Sequence, residues 1–170
     1  LTIQNPGVQQ QVQQPAWIPG SYLLREFAKH LQNLRAFQAG KALLLQQLDK
    51  ATWQVGNADN LPLELHYEVY AFDPSVRTAW LDTQRGFFNP SSLCLQVLGQ
   101  SQAAHSLELF LSTDLAKNGV NAACEAIKID DRNWRYDFAD YDALVDTPFV
   151  FAQSLWRGEF LAAGIAHAFV

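Results

Sequence analysis

Four histidines, two cysteines and one acidic run are the side chains here with the chemistry for catalysis. Zinc hydrolysis needs two imidazoles on one helical face with a carboxylate beside them, as in the H-E-x-x-H spacing. His30, His66, His105 and His167 lie far apart, and none stands four residues from another. The chain therefore offers no metal ligands of its own by spacing, no catalytic residue is assigned, and no cofactor is expected within it. His66 is expected in solvent on the polar face of a strand, with His30 and His167 satisfied by backbone carbonyls. Nucleophilic catalysis has no better basis. Gly20-Ser21 lacks the G-x-S-x-G context of a strand-to-helix elbow. Cys94 and Cys124 have apolar or small neighbours and no adjacent His or cationic stretch to lower their pKa. They read as two buried thiols, which favours a reducing, cytoplasmic setting over a secreted one.

Asp137, Asp140, Asp142 and Asp146 form the one dense charge cluster. A calcium loop of the D-x-[DN]-x-[DN]-G type breaks at Leu144. Two readings stay open. The run could hold a cation or a substrate amine weakly, or it could start a helix with Asp140 as cap and Asp142 favoured by the dipole. Such a helix would end before Pro148.

The elements that would carry these residues are mostly strands. Leu63, Leu65, Tyr67, Val69 and Ala71 alternate with Glu64, His66 and Glu68, which predicts a half-buried strand over 61–72. Similar alternation marks 93–98 and 107–111, and further strands are expected near 123–130, 149–156 and 159–169. Ala39-Gly40-Lys41 reads as a hairpin turn between strands at 31–38 and 42–48, and Thr52–Val55 as a strand stopped at Gly56-Asn57. One helical period competes: Leu24, Phe27, Leu31 and Leu34, with Ser21 as its cap after a Pro19-Gly20 turn. The hairpin reading would shorten that helix to its first turns. Trp53 and Trp80 are expected in the core and Trp17 in a loop. The fold class is mainly β, an antiparallel sandwich or twisted sheet with one or two short helices.

Composition agrees with a packed domain. Of 170 residues 49 % are hydrophobic and 12 % aromatic, ample for a core, and disorder is excluded. Only 12 Lys and Arg against 17 Asp and Glu leave a net charge of −5, so neither nucleic acid nor an anionic membrane surface is an expected partner. No apolar run approaches the roughly 18 residues of a membrane span, and no leader pattern opens the chain. The absence of Met and the start at Leu1 suggest a piece trimmed at the front, and the apolar 158–170 reads as an interrupted element.

Three segments together resemble the M61 family of peptidases, the glycyl aminopeptidases. Trp17-Ile18-Pro19-Gly20-Ser21-Tyr22-Leu23-Leu24-Arg25-Glu26-Phe27-Ala28 is similar to the W-x-P-G-S-Y-x-x-R-x-F-A signature of its N-terminal part. Tyr67-Glu68-Val69-Tyr70-Ala71, Arg77 and Arg85-Gly86-Phe87-Phe88-Asn89 resemble the next landmarks in order. Asp140-Tyr141-Asp142-Ala143-Leu144-Val145-Asp146-Thr147-Pro148 resembles the stretch that leads into the catalytic domain. The resemblance implies a β-rich N-terminal domain over 1–148, related in arrangement to that of M1 aminopeptidases, and strands over 149–170 linking towards a catalytic domain not contained here. Zinc and H-E-x-x-H would belong to that domain, so this chain alone is expected to be inactive. Its partners would be its own catalytic domain and, in the full-length protein, a peptide substrate with a small N-terminal residue. Trp17, Pro19, Gly20, Ser21, Tyr22, Arg25, Asp140, Tyr141, Asp142 and Asp146 are the candidates for the cleft or the interdomain seam. The competing expectation is a stand-alone sandwich that binds sugar or peptide through exposed aromatics.

Overall fold

The structure, a computed structural model, describes residues 1–18, 21–56 and 60–169. The expected Pro19-Gly20 turn and the stop at Asn57 lie outside the described residues. The fold is mainly β and antiparallel throughout. Strands Thr2–Ile3, Leu63–Val69, Leu31–Gln38 and Lys41–Leu43 form one sheet in that order, and Gln96–Val97, Gln9–Gln13, Thr52–Gly56 and Leu45–Gln47 form a second. Ile3, Val12, Ala36, Trp53, Val55, Leu63, Leu65, Leu95 and Val97 fill a first core shared by these two sheets. A second core gathers Phe88, Phe149 and Phe151 with Trp134, Tyr136 and Phe138. It joins the sheet Val120–Ala122, Phe149–Ala152, Arg85–Phe88, Ala79–Leu81 to the sheet His105–Phe110, Asn133–Phe138, Ile127–Lys128. A separate hairpin pairs Gly158–Ala162 with Ile165–Phe169. The sandwich is thus built around two cores, the first drawn from residues 3–97 and the second from residues 79–151.

Period-2 alternation is realised where it was clearest. Leu63 and Leu65 are buried while Glu64 and His66 face water. Gln38 pairs with Lys41 across a two-residue turn in which Ala39 and Gly40 both have positive φ, 47° and 75°. That is the left-handed pair whose twist matches antiparallel strands. The strand beyond the turn is shorter than expected. It stops at Leu43, Leu44 stands 86 % exposed, and Leu45–Gln47 continues in the opposite sheet. Leu44 is therefore the corner at which the chain changes layers.

The helix over 24–34 does not form. Residues Phe27–His30 make one 3₁₀ turn, and Leu31–Gln38 is a strand. The register of that strand shifts between Gln32 and Arg35, with Asn33 at φ 53°. The extra residue of this bulge puts Leu31 and Leu34 against the same core although they are three apart. Three further expectations are corrected. Only Ile127–Lys128 of the 123–130 segment is strand. The final segment is two strands, around Ala163 and Gly164, instead of one. Trp80 points outward, half-buried, and stacks on Phe72 at 4.2 Å. His30 and His167 use aromatic neighbours, stacking on Tyr70 (6.1 Å) and Phe160 (5.1 Å). No described helix is long and apolar enough to cross a membrane.

Candidate functional site

Residues 16–18 and 21–25 are tied to one another by hydrogen bonds. Arg25 N donates to Ala16 O at 2.5 Å, and Ser21 N donates to Ile18 O at 3.1 Å. Ser21 is buried and acts as the hub. Its carbonyl accepts from Trp17 Nε1 at 2.7 Å. Its hydroxyl donates to Leu23 O at 3.0 Å and accepts from Leu23 N at 3.3 Å and Arg25 Nε at 3.2 Å. A short polar side chain able both to donate and to accept is what such a turn needs. Ser21 therefore braces the loop and does not cap a helix. The same hydrogen bonds push Tyr22, Leu23 and Leu24 outward, Tyr22 fully exposed and Leu24 at 78 %. No carboxylate of the described residues pairs with Arg25. Pro19 and Gly20 lie outside the described residues.

The acidic run resolves into helix chemistry. Asp140 caps the five-residue helix Tyr141–Val145, its Oδ1 accepting from Ala143 N at 2.8 Å. Asp142 sits in the first turn, Asp146 is the C-terminal cap residue, and both face solvent. Asp137 is engaged elsewhere: hydrogen bonds from Ser106 Oγ (2.7 Å) and Arg135 Nε (2.8 Å) hold its carboxyl below the ordinary range. Tyr141 is buried and donates its hydroxyl to Cys94 O at 2.7 Å, and burial pushes its ionisation far above the usual range. On the other side, Tyr67 donates to Leu93 O at 2.9 Å. Two phenols, one on each sandwich half, thus clamp adjacent carbonyls at the junction. Loss of solvent pushes the half-buried Cys94 thiol up to about 12, which makes it a poor nucleophile. Both cysteines are unpaired and half-buried.

No hydrogen bond or ion pair among the described residues links residues 16–18 and 21–25 to the 140–146 helix, so the structure does not assemble the two motifs into one site. Nor do three or more His, Cys, Asp or Glu side chains converge among the described residues. Sequence reasoning missed an apolar groove of about 580 Å³ on the outer face of the Arg85–Phe88 sheet. Trp80, Phe87 and Val150, opposite one another across three strands, make its floor, and Trp156 stands at its rim. Arg85 lies over the Trp80 ring at 5.7 Å, and Trp80 Nε1 donates to Asp82 at 2.7 Å. In Ala79-Trp80-Leu81 all three residues are apolar, so alternation gave no phase to say which side Trp80 takes.

Residues 1–153 match the family described as the peptidase M61 N-terminal domain. The fold is similar to the crystal structure of an aminopeptidase N family protein from Idiomarina loihiensis, with a TM-score of 0.82 and 36 % identity over 98 % of this chain. The likeness covers 28 % of that protein's chain, so the present chain spans under a third of its relative's length. No curated protein matches.

Proposed function

From the premise that this chain belongs to the family of peptidase M61 N-terminal domains, we propose that it is the non-catalytic front domain of a zinc metalloaminopeptidase. It packs on a catalytic domain and helps to shape the substrate cleft, with zinc and its ligands in that other domain. The observation behind the cleft role is the mutual bracing of residues 16–18 and 21–25. Its hydrogen bonds run inward through Ser21, while Trp17, Tyr22, Leu23 and Leu24 stand exposed. A soluble surface has no use for adjacent exposed apolar side chains on a braced loop unless they meet something. Rigid bracing of loop residues is what a recognition surface requires. Tyr22 adds a hydroxyl that could accept from a peptide's ammonium group or donate to its carbonyl.

The relative of more than three times the length supports a domain of a larger enzyme over a free-standing sugar-binding module. The test is Tyr22→Ala in the full-length protein, assayed on peptides with N-terminal Gly and Ala. A lost contact of about 1.4 kcal/mol in the transition state lowers kcat/KM about tenfold. The melting temperature should not move, because Tyr22 makes no core contact. Unchanged kcat/KM would remove this loop from the cleft.

A further inference from the structure

Hairpin 158–169 is unlike the rest of the fold. Among the described residues its strands pair only with each other, around Ala163 and Gly164 at φ 49° and 79°. The register puts Phe160, His167, Phe169, Ala162 and Ile165 on one face. Their rings form a continuous ladder that begins just before the hairpin: Trp156 to Phe169 at 4.9 Å, Phe169 to Phe160 at 5.8 Å and Phe160 to His167 at 5.1 Å. Gly158 makes room for it, since a Cβ there would lie 2.8 Å from both Phe169 Cζ and Trp156 Cη2. Yet the ladder is open to water, with Trp156 at 70 % and Ile165 at 63 %, and Leu161 on the other face is as bare. A two-stranded hairpin is marginal in water by itself, and a contiguous exposed apolar patch of this kind marks an interaction surface.

Two observations indicate what covers it. The family match ends at residue 153, before the hairpin, while the structural likeness to the longer relative runs through 98 % of this chain. The hairpin thus belongs to the shared fold but not to the N-terminal domain that the family defines. Most of the relative's chain, all but 28 % of it, lies outside the matched part. We propose that residues 158–169 are the first strands of the following domain of the same polypeptide, and that the Trp156–Phe169–Phe160–His167 ladder is packed over by that domain. The domain boundary then falls at 153–157. This inference rests on the reading of the chain as the front of a longer peptidase.

The test is amide hydrogen exchange on the full-length protein beside the 170-residue chain. Residues 158–169 should exchange about a hundredfold more slowly in the full-length protein, while Phe149–Ala152 should be equally protected in both. Phe160→Ser in the full-length protein should release 158–169 and leave Phe149–Ala152 protected, which separates local undocking from general unfolding. Equal exchange of 158–169 in the two proteins would overturn the proposal. So would protection that rises with concentration alongside a sedimenting dimer, because the ladder would then be covered by a second copy. Hydrolysis of Gly- and Ala-peptides by the same sample reads the peptidase assignment independently. An active enzyme with an unprotected hairpin sinks the docking proposal alone, and a protected hairpin in an inactive protein sinks only the peptidase reading.

Discussion

Gly86→Ala is a small change with a large expected effect. Gly86 faces the second core from the strand Arg85–Phe88, opposite Phe151. A Cβ there would fall inside the van der Waals radii of Phe151 Cε2 and Cζ, with Cδ2 at 3.1 Å. Carbon atoms rest about 3.5–4.0 Å apart, so the ring must retreat by roughly 1 Å or more. It has nowhere to go: Phe151 is buried and packs edge-on to Phe88 at 6.5 Å. Forced overpacking costs about 1–3 kcal/mol, against a backbone-entropy gain from Ala of about 0.5–1 kcal/mol. The clash wins, and the net loss should be about 1–1.5 kcal/mol, or about 2–6 °C in melting temperature for a chain of this size. Urea unfolding followed by tryptophan fluorescence gives the value. The decisive arm is the Phe151→Leu background, in which the slimmer side chain should accept the methyl and Gly86→Ala should cost less than about 0.5 kcal/mol. Equal costs in the two backgrounds would show that the ring is not the obstacle.

Two tyrosines make a paired prediction in the same assay. Tyr141→Phe leaves Cys94 O without its donor and should cost about 1–3 kcal/mol, whereas the buried Tyr136 hydroxyl has no partner in the structure, so Tyr136→Phe should be neutral or stabilising. The reverse order would contradict this hydrogen-bond assignment. Ala39→Asn should stabilise the first hairpin by about 1 kcal/mol, because Asn enters the left-handed region more readily than Ala; no rise in melting temperature would refute it. Stability should also fall in alkali. Cys94 ionises near 9 when unfolded and only near 12 in the fold, so its contribution is intact below pH 9 and is lost as pH rises towards 12. Cys94→Ala should flatten that part of the melting-temperature profile.

Much of the fold was legible because its strands are half-buried. Leu63 to Val69 could be read from alternation alone, and Ala39-Gly40 from the need of a tight hairpin for positive φ. The misread helix shows the limit of that logic. A spacing of three on one face is produced by a bulge as well as by a helical turn, and only pairing with the neighbouring strand reveals the bulge at Asn33. Trp80 went wrong because three successive apolar residues carry no phase. For the candidate site, the helix reading of Asp140 came from local chemistry, which sequence carries well. The hub role of Ser21 did not, since it depends on where Trp17 and Arg25 fold back.

The order of the two cores along the chain has a consequence for synthesis. The first core draws only on residues from Ile3 to Val97, and the buried residues of the second run from Ala79 to Phe151. Domains fold as units and from the N-terminus as the ribosome delivers them. The first sandwich half can therefore close once Val97 has emerged, before the later strands of the second, from His105–Phe110 onward, have left the exit tunnel, with Leu93 already held by Tyr67. Tyr141 arrives late and fastens the other side. That junction, Leu93–Cys94, is where an early tyrosine and a late one fasten the two halves together.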